Sequence, residues 1–408
     1  MPTHALSRAQ SDFFLSGLTA DPAQRHDGRS LLAFRPLHVE SDIAAQANGS
    51  ATVNLGGTHV VCGVKAEVRS FADDLEDQEA DDLAGDDDYD DLDADQDGDG
   101  TPSTGRGKVK CSIECSQSIL HTFDARHIDT LTASLTSTVS SVFSARSSPI
   151  PLSQLVIIPR AKHWTLYVDI LVTSLSGGNL FDAVFAAIFA ALYGTRVPTT
   201  RGVAFEAPST VSATGDDGST RGAFENVKGD LDQMGIKGLL RSNKEAAQAR
   251  GAAAGDGAGT KAASNKIVDF ELENQQDEGF RLEARENVPL CITVNVVSIA
   301  GLFPAAEVAA ASLLPKTYLL DATIDEEACI PSRVHVIASR TGRIHAVKVQ
   351  GSQEIASGRI NEAIRIGTTQ ASRLADALRA QLDAEAGDDE DQEEGEEGEE
   401  VDGMALDV

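Results

Sequence analysis

The residues from Leu166 to Pro198, LYVDILVTSLSGGNLFDAVFAAIFAALYGTRVP, contain three successive patterns that decide the fold. Leu166 to Leu175 is rich in apolar and β-branched residues, which is typical of a strand. Gly177-Gly178 then marks a turn. Phe181 to Tyr193 is long enough for a helix and is apolar on nearly every side, so we expect it to lie buried between two layers.

The residues N-terminal to this stretch have the period-two pattern of a half-buried sheet, with a Gly56-Gly57 turn inside it. The predicted strands are Phe34 to Glu40, Ser50 to Asn54, His59 to Val68 and Lys108 to Ser116. Apolar residues at helical spacing predict an amphipathic helix from Arg126 to Phe143, and a further helix is predicted from Ser7 to Ser16.

The residues C-terminal to it predict a second set of strands followed by one long helix, Ser357 to Leu382. These strands are Leu290 to Ile299, Thr317 to Ala322, Arg333 to Ser339 and Arg343 to Val349. Strands followed by packed helices, twice over, predict an α+β fold. The predicted bounds are 1–200 and 266–382 for two subdomains, with a Gly-, Ala-, Ser- and Thr-rich linker at 201–265.

Two acidic runs account for the formal net charge of −30. Asp73 to Asp99 carries 16 acids and Asp383 to Val408 carries 14, both without Lys or Arg. Without these 30 of the 64 acids, the remaining 34 equal the 34 Lys and Arg residues, so the rest of the chain is close to neutral. Such runs repel themselves and bury little apolar surface, and we expect a disordered insertion at about 71–105 and a disordered tail at 383–408.

The five cysteines include no CxxC pair, and the odd number favours a reducing, intracellular compartment. Cys111 and Cys115, with His121 and His127 after them, raise the question of a zinc site. In a strand, cysteines four apart lie on one face but some distance from each other, whereas a zinc knuckle needs a tight turn, so core cysteines are the favoured interpretation.

Asp93, Asp95, Asp97 and Asp99 match the first half of an EF-hand calcium loop. Position twelve is Thr104 instead of the closing Glu, and Pro102 opposes an exiting helix, so an acidic solvated loop is favoured. The sequence therefore predicts no metal and no cofactor.

Short motifs occurring in a fixed order resemble the RNase PH superfamily, and specifically its branch in the eukaryotic RNA exosome. The first are Asp27-Gly28-Arg29, Phe34-Arg35-Pro36, Gly49-Ser50-Ala51, Leu55-Gly56-Gly57-Thr58 and Gly63-Val64-Lys65-Ala66-Glu67. The later ones, similar to one ring-subunit type that takes part in ribosomal RNA processing, are Leu166 to Asp169, Gly177 to Ala183, Thr195 to Pro198 and Asp321 to Cys329. The resemblance covers about residues 10–70, 105–200 and 265–382. It implies an RNase PH-like fold of two β-α subdomains with mixed sheets packed against helices, six such subunits in a ring, and RNA in a central channel.

In active relatives, the resemblance implies, a Gly-Gly-Thr-Arg turn holds phosphate and a downstream Asp acts as the acid. Both are needed because phosphate attacks an anionic phosphodiester, so a cation must offset the repulsion and an acid must protonate the leaving oxygen. Here the turn reads Gly177-Gly178-Asn179-Leu180, and Ser332 aligns with the catalytic Asp. An apolar side chain cannot bind an anion, and a hydroxyl is a poor acid. The resemblance thus implies a catalytically silent subunit.

Basic residues could touch the phosphates of threaded RNA, and ordinary surface charge is the alternative explanation. The RNA-binding candidates are Arg126, Lys108, Lys110, Arg160 and Lys162. The resemblance further implies other ring and cap subunits, single-stranded RNA and an associated catalytic exoribonuclease as partners, with no membrane. It leads us to expect the protein in nucleus, nucleolus and cytoplasm.

Two other functions compete with a structural ring subunit. One is an active phosphate-dependent 3'-to-5' exoribonuclease with an atypical acid from Asp325 to Glu327, against which Leu180 and Ser332 argue. The other is an acidic, histone-chaperone-like protein, suggested by the tail and opposed by the ordered motifs.

Overall fold

The computed structural model describes residues 6–20, 22–71, 106–144, 147–159, 161–204, 267–273, 279–297, 317–330, 332–351 and 354–400, with side chains in the last helix described up to 385. The predicted acidic insertion with its EF-hand-like stretch, nearly all of the predicted linker, and Arg160 lie outside these residues. The chain divides into two units, one formed by Met1–Arg201 with Phe270–Val408 and the other by Gly202–Asp269. The described elements belong to the first unit, apart from parts of the two strands Thr200–Ala204 and Ile267–Leu272. The predicted subdomain bounds stay a prediction.

The first sheet has the strand order β1-β2-β3-β6-β4, with β5 added on β6. These strands are β1 Leu37–Ser41, β2 Gly49–Leu55, β3 Thr58–Ser70, β4 Lys108–Cys115, β5 Val156–Ile158 and β6 Lys162–Leu175. Only the pairing of β4 with β6 is parallel, so this sheet is mixed, as predicted. Gly56 and Gly57, both at positive φ, make the tight turn between β2 and β3.

The second sheet has the order β12-β11-β13-β14 and is antiparallel throughout. Its strands are β11 Leu290–Val296, β12 Tyr318–Leu320, β13 Ser332–Ala338 and β14 Ile344–Gly351. Among the paired strands that the structure describes, β14 is an edge, and Val347 and Val349 on it are exposed.

The remaining elements are helices and short strand pairs. The helices are α1 Arg8–Thr19, α2 Gln117–Leu120, α3 Ala125–Val142, α4 Leu180–Gly194, α5 Ile324–Cys329 and α6 Ser357–Glu400, with 3-10 turns at Leu152–Leu155 and Arg285–Asn287. The short strands are β7 Arg196–Val197 paired with β10 Phe280–Arg281, and β8 Thr200–Ala204 paired with β9 Ile267–Leu272. In the part of the chain that the structure describes, no helix combines the length and apolar character required to cross a bilayer.

Helix α4 is the buried centre that the sequence predicts. Every residue from Leu180 to Tyr193 is buried, and the helix contacts β2 and β3 of the first sheet and β11 of the second. Close approach is possible because β2 begins with Gly49: a Cβ there would lie 2.6 Å from the carbonyl oxygen of Ala191. The strand, turn and buried helix predicted from Leu166 to Pro198 are confirmed, and so is the α+β class.

Helix α6 extends to Glu400, past the end predicted at Leu382, and the predicted disordered tail stays a prediction. Residues just past the predicted end contact the body of the protein. Asp383 accepts a 2.6 Å hydrogen bond from the Tyr193 hydroxyl, and Glu385 accepts one of 2.9 Å from Ser41.

Gly367 of α6 lies directly against Val336 of the second sheet, and it generates a test of this packing. A Cβ at Gly367 would lie 2.7 Å from the Cβ of Val336, on a backbone that cannot easily retreat. We expect Gly367→Ala to lower the free energy of unfolding by about 1 to 3 kcal/mol, despite the better helix propensity of Ala. Gly358→Ala, on the same helix and with nothing within 4 Å, should be neutral or slightly stabilising. Equal effects of the two variants in urea unfolding would contradict the packing.

Candidate functional site

The turn Gly177-Gly178-Asn179-Leu180 joins β6 to α4 and is held by its neighbours. A Cβ at Gly177 would lie 2.5 Å from the Gly56 carbonyl oxygen, so the position requires glycine. Gly178 and Asn179 both have positive φ, at 74° and 55°, and Asn is one of the few side chains that tolerate this region. The Thr58 hydroxyl donates a 2.6 Å hydrogen bond to the Gly178 carbonyl. The turn therefore has one fixed geometry.

The carboxylate of Asp321 is fully buried and holds this turn through hydrogen bonds. Arg35 donates to it from its backbone N–H at 2.7 Å and from two guanidinium nitrogens at 2.8 and 2.5 Å. Arg29 donates from Nη1 at 2.8 Å, and Asn179 donates from Nδ2 at 3.1 Å. The third guanidinium nitrogen of Arg35 donates to the Gly177 carbonyl at 2.6 Å, which joins Asp321 to the turn.

The charge of Asp321 follows from these partners. Burial alone would raise the pKa of its carboxyl, but the hydrogen bonds and positive charge of Arg35 hold that pKa below its ordinary value. The carboxyl is therefore ionised at neutral pH, and a buried ion of this kind is tolerated because it is paired and hydrogen-bonded.

A second ion pair fixes α5, the short helix that follows Asp321. Arg25 is fully buried and donates to both oxygens of Glu326, at 3.0 and 2.6 Å. Thr323 and Glu326 also form a capping box at the start of α5. The N-terminal segment thus holds α5 in place and brings Glu327 toward the turn.

A pocket of about 260 Å³ opens at the N-terminal end of α4, beside the turn. Its apolar wall consists of Phe123, Leu131, Leu175, Leu180, Phe181 and Ile324. Its polar lining consists of His127, Asn179, Thr293, Glu327, Arg333, His335 and Gln350.

Glu327 occupies the end of the pocket nearest to the helix. Its Oε1 accepts a 2.9 Å hydrogen bond from the backbone N–H of Asn179. Its other carboxylate oxygen lies 3.5 Å from Nη1 of Arg333, and Nη2 of Arg333 donates to the Glu327 carbonyl at 3.3 Å. A carboxylate at a helix N-terminus is favoured by the partial positive charge there.

Behind the pocket, Asp182 begins a chain of buried polar groups. Its Oδ1 accepts from both the backbone N–H and the hydroxyl of Thr293, at 2.8 and 2.7 Å, and its Oδ2 accepts from Asn179 at 3.0 Å. Burial raises the pKa of Asp182 to about 7, opposed by these three hydrogen bonds. The group thus anchors the first turn of α4 instead of lying free in the pocket.

His335 continues the chain to the pocket surface. Burial lowers the pKa of His335 to about 3, so the ring is neutral. Nδ1 of His335 lies 2.9 Å from the Thr293 hydroxyl, which links the ring to Asp182. Nε2 lies 3.2 Å from the Gln350 amide oxygen, which can only accept, so Nε2 carries the hydrogen of the neutral ring, and Phe181 stacks on the ring at 4.0 Å. The ring is therefore fixed and uncharged.

The two positions where the resemblance implies lost catalytic groups differ in their surroundings. Leu180 lines the pocket and is almost wholly buried. Ser332 is the first residue of β13, is buried, and pairs with Gly351 across the sheet; it is not among the residues that line the pocket.

The four RNA-binding candidates that the structure describes stand on three different elements. Arg126 is exposed at the start of α3, next to the pocket residue His127. Lys108 is the first and Lys110 the third residue of β4, about 23 and 17 Å from the last residue of the strand at about 3.3 Å per residue. Lys162 begins β6, with Nζ 4.9 Å from the centre of the Phe270 ring. Their role in RNA binding stays a prediction.

Cys111 and Cys115 are both half-buried in β4. Burial raises their pKa values to about 12 and about 11, which disfavours the thiolate form that binds metals. Among the residues that the structure describes, no group of three His, Cys, Asp or Glu side chains is placed to hold a metal ion.

Sequence reasoning missed most of the polar residues of this site. Arg29, Arg35 and Asp321 stood inside recognised motifs, but nothing in their spacing showed that they meet. The pairing of His335 with Lys348 across β13 and β14 places Gln350 close by, and that register could not be read from two short strands alone.

Comparison with known proteins shows a family match and several similar proteins. Residues 33–198 match the model of the 3' exoribonuclease family, domain 1 (RNase PH). Proteins named exosome complex component Rrp42 are similar: that of Sulfurisphaera tokodaii is 34% identical over 175 residues, which is 43% of this chain and 52% of the relative. That of Methanothermobacter thermautotrophicus is 30% identical over 176 residues, 43% of this chain and 54% of the relative. The chain thus spans about half the length of the curated relatives it matches.

Two solved structures share the fold. One is described as an archaeal exosome core, with a TM-score of 0.51 and 17% identity over 91% of this chain and 96% of the other. The second is an Archaeoglobus fulgidus exosome with RNA bound to the active site, with a TM-score of 0.52 and 18% identity over 91% and 98%. At this identity the likeness shows the fold alone, and it confirms the predicted RNase PH-like fold.

The buried Asp321 ion cluster yields a test. Asp321→Asn removes the counter-charge that Arg35 pairs with and one of the two that Arg29 pairs with, the other being Asp27. We expect the free energy of unfolding at pH 7 to fall by about 3 to 5 kcal/mol. Asp325→Asn, on the exposed side of α5, is the matched control and should change it by less than about 0.5 kcal/mol.

The difference in stability between wild type and Asp321→Asn should depend on pH. The folded-state pKa of Asp321 is lowered, so its stabilising effect is complete above about pH 4 and is lost as the pH falls through the folded-state value. In urea unfolding at several pH values, the difference between wild type and Asp321→Asn should shrink below pH 4. A difference that stays constant down to pH 2 would show that the carboxylate charge is not what stabilises the cluster.

Proposed function

Because residues 33–198 carry the first domain of the RNase PH family, we propose that the chain is a non-catalytic structural subunit of the RNA exosome core ring, of the ribosomal RNA-processing protein 42 type. In this role it supports 3'-to-5' RNA processing and degradation, including ribosomal RNA maturation, and helps to guide RNA through the channel. The named relatives are exosome components, which supports the ring assignment. Its partners are other RNase PH-like ring subunits, cap subunits and an associated catalytic exoribonuclease.

The proposed lack of catalytic activity is supported by the groups that surround the turn Gly177-Gly178-Asn179-Leu180. Gly177, Gly178 and Asn179 keep a single conformation, held by Arg35 and Thr58. The next side chain is the buried, apolar Leu180, and the backbone N–H of Asn179 is bonded to a carboxylate. A phosphate group at this place would meet an apolar surface and a negative charge, and both disfavour an anion.

The acidic residues of α5 offer little support for the alternative of an active enzyme with an atypical acid. Asp325 is exposed and does not line the pocket. Glu326 is bonded through both oxygens to Arg25. Glu327 does line the pocket, but its oxygens face Asn179 and Arg333. Each Glu327 oxygen is therefore already engaged, one by an amide N–H and the other by a guanidinium.

RNA guidance is proposed from exposed basic residues, with Arg126 as the foremost candidate. It stands at the surface beside the pocket opening, where a backbone phosphate could approach without entering the pocket. By the same resemblance to exosome subunits, we propose that the protein resides in nucleus, nucleolus and cytoplasm.

The purified full-length chain should not shorten RNA in the presence of phosphate, because a cation at position 180 and an acid at position 332 are both missing. The measurement is release of nucleoside diphosphates from a labelled single-stranded RNA, with an active RNase PH protein as the positive control. Diphosphate release that is abolished by Glu327→Ala but not by Asp325→Ala would establish the alternative enzyme and overturn the proposal.

The chain should occupy a defined position among different RNase PH-like subunits, because a silent subunit contributes through its interfaces. A ring needs two complementary faces on each member, and neighbours of another sequence can supply them. Light scattering of the chain alone, of the other ring subunits alone and of the mixture measures this. We expect a single larger species in the mixture only. A stable homohexamer that ignores the other subunits contradicts the proposal.

A further inference from the structure

We infer that Glu327 is an internal anion: its carboxylate occupies an anion-binding position at the N-terminus of α4 and keeps the adjoining pocket from taking inorganic phosphate. This inference rests on the proposed function, a subunit without catalytic activity. It adds a cause of that inactivity beyond the residues at positions 180 and 332.

Two donors of different kinds converge on this carboxylate. The backbone N–H of Asn179 reaches Oε1 at 2.9 Å, and the Arg333 guanidinium lies 3.5 Å from Oε2. A main-chain N–H at the start of a 15-residue helix together with an arginine is the donor set that oxyanions prefer. The carboxylate therefore sits where a free tetrahedral anion would find its ligands.

Of the three acidic residues of α5, only Glu327 is placed to act as this internal anion. Asp325 is exposed, and Glu326 is fully buried against Arg25. Glu327 and Arg333 are each 19% exposed and both line the pocket, so solvent ions can reach them. Glu327 is thus placed between the helix and the pocket.

Removing the carboxylate would leave the Asn179 N–H without its acceptor and Arg333 without this counter-charge, while Nη2 of Arg333 would keep its bond to the Glu327 carbonyl. A partly buried N–H without a partner is unfavourable, and so is a guanidinium without a counter-charge. A phosphate ion in the pocket could satisfy both, and the space of about 260 Å³ is available for it. With Glu327 present, the same ion would face a negative charge within the pocket, and mutual repulsion excludes it.

The test compares Glu327→Ala with Asp325→Ala in the full-length chain, because each removes one negative charge from the same helix. Thermal unfolding is followed in about 10 mM phosphate and in chloride of equal ionic strength, so that screening is matched. For Glu327→Ala we expect phosphate to raise Tm by about 2 to 4 °C, as expected of millimolar binding to the folded state. Wild type and Asp325→Ala should show no such difference.

Each outcome is decisive. A folded Glu327→Ala protein without a phosphate effect overturns the inference, and so does a wild-type protein that responds to phosphate equally. If Glu327→Ala does not fold, Glu327→Gln is compared with Asp325→Asn, since the amide can keep the hydrogen bond from Asn179 while Arg333 loses its counter-charge. A phosphate effect larger in Glu327→Gln supports the inference, and equal effects sink it. Diphosphate release by wild type in the RNA assay would instead overturn the proposed silence, independently of these Tm values.

Discussion

The structure depends on one buried carboxylate, that of Asp321. It lies just after the short strand β12 of the second sheet, yet its donors come from the N-terminal segment and from the turn that begins α4. Five hydrogen bonds meet on two oxygens, and Arg35 extends the cluster to the Gly177 carbonyl. Because a buried charge is tolerable only when it is fully paired, the N-terminal segment, the turn and the second sheet must come together in one arrangement. The pocket at the end of α4 is a consequence of that requirement.

Helix α4 supplies the apolar counterpart of this constraint. It lies between the two sheets, so burial of its side chains on all sides provides the hydrophobic driving force. Because α4 is apolar on all sides, hydrophobic burial alone does not strongly favour one rotation of the helix about its axis, or one position along that axis, over another. The hydrogen bonds of Asp182 to Thr293 and of Asn179 to Asp321 set its rotation and its starting point. Hydrophobic burial and polar pairing therefore act on different properties of the same helix.

The sequence was sufficient where a pattern is local. Alternation predicted β2 and β3, apolar character predicted that α4 is buried, and all matched within a few residues. It was insufficient where the determining partner is distant. Strand β6 begins four residues before the predicted Leu166, because His163 and Trp164 pair with Arg69 and Val68 of β3. Asp321 meets Arg35 across 286 positions, and no periodicity encodes such a meeting. Asp383 and Glu385, just past the predicted end of α6, likewise bond to residues far away in sequence.

The groups that build the turn are separate from the groups that would perform chemistry on it. Arg29, Arg35 and Asp321 are bonded to one another and to the backbone, so replacing the residue at 180 or at 332 breaks none of the hydrogen bonds in this cluster. The side chains at 180 and 332 could therefore change without loss of the fold, whereas the cluster could not, since removing the Asp321 carboxylate leaves the Arg35 charge unpaired. The turn keeps its shape because that shape is a structural requirement. Its retention is by itself no argument for activity, and only the chemistry of the side chains that face the pocket bears on that question.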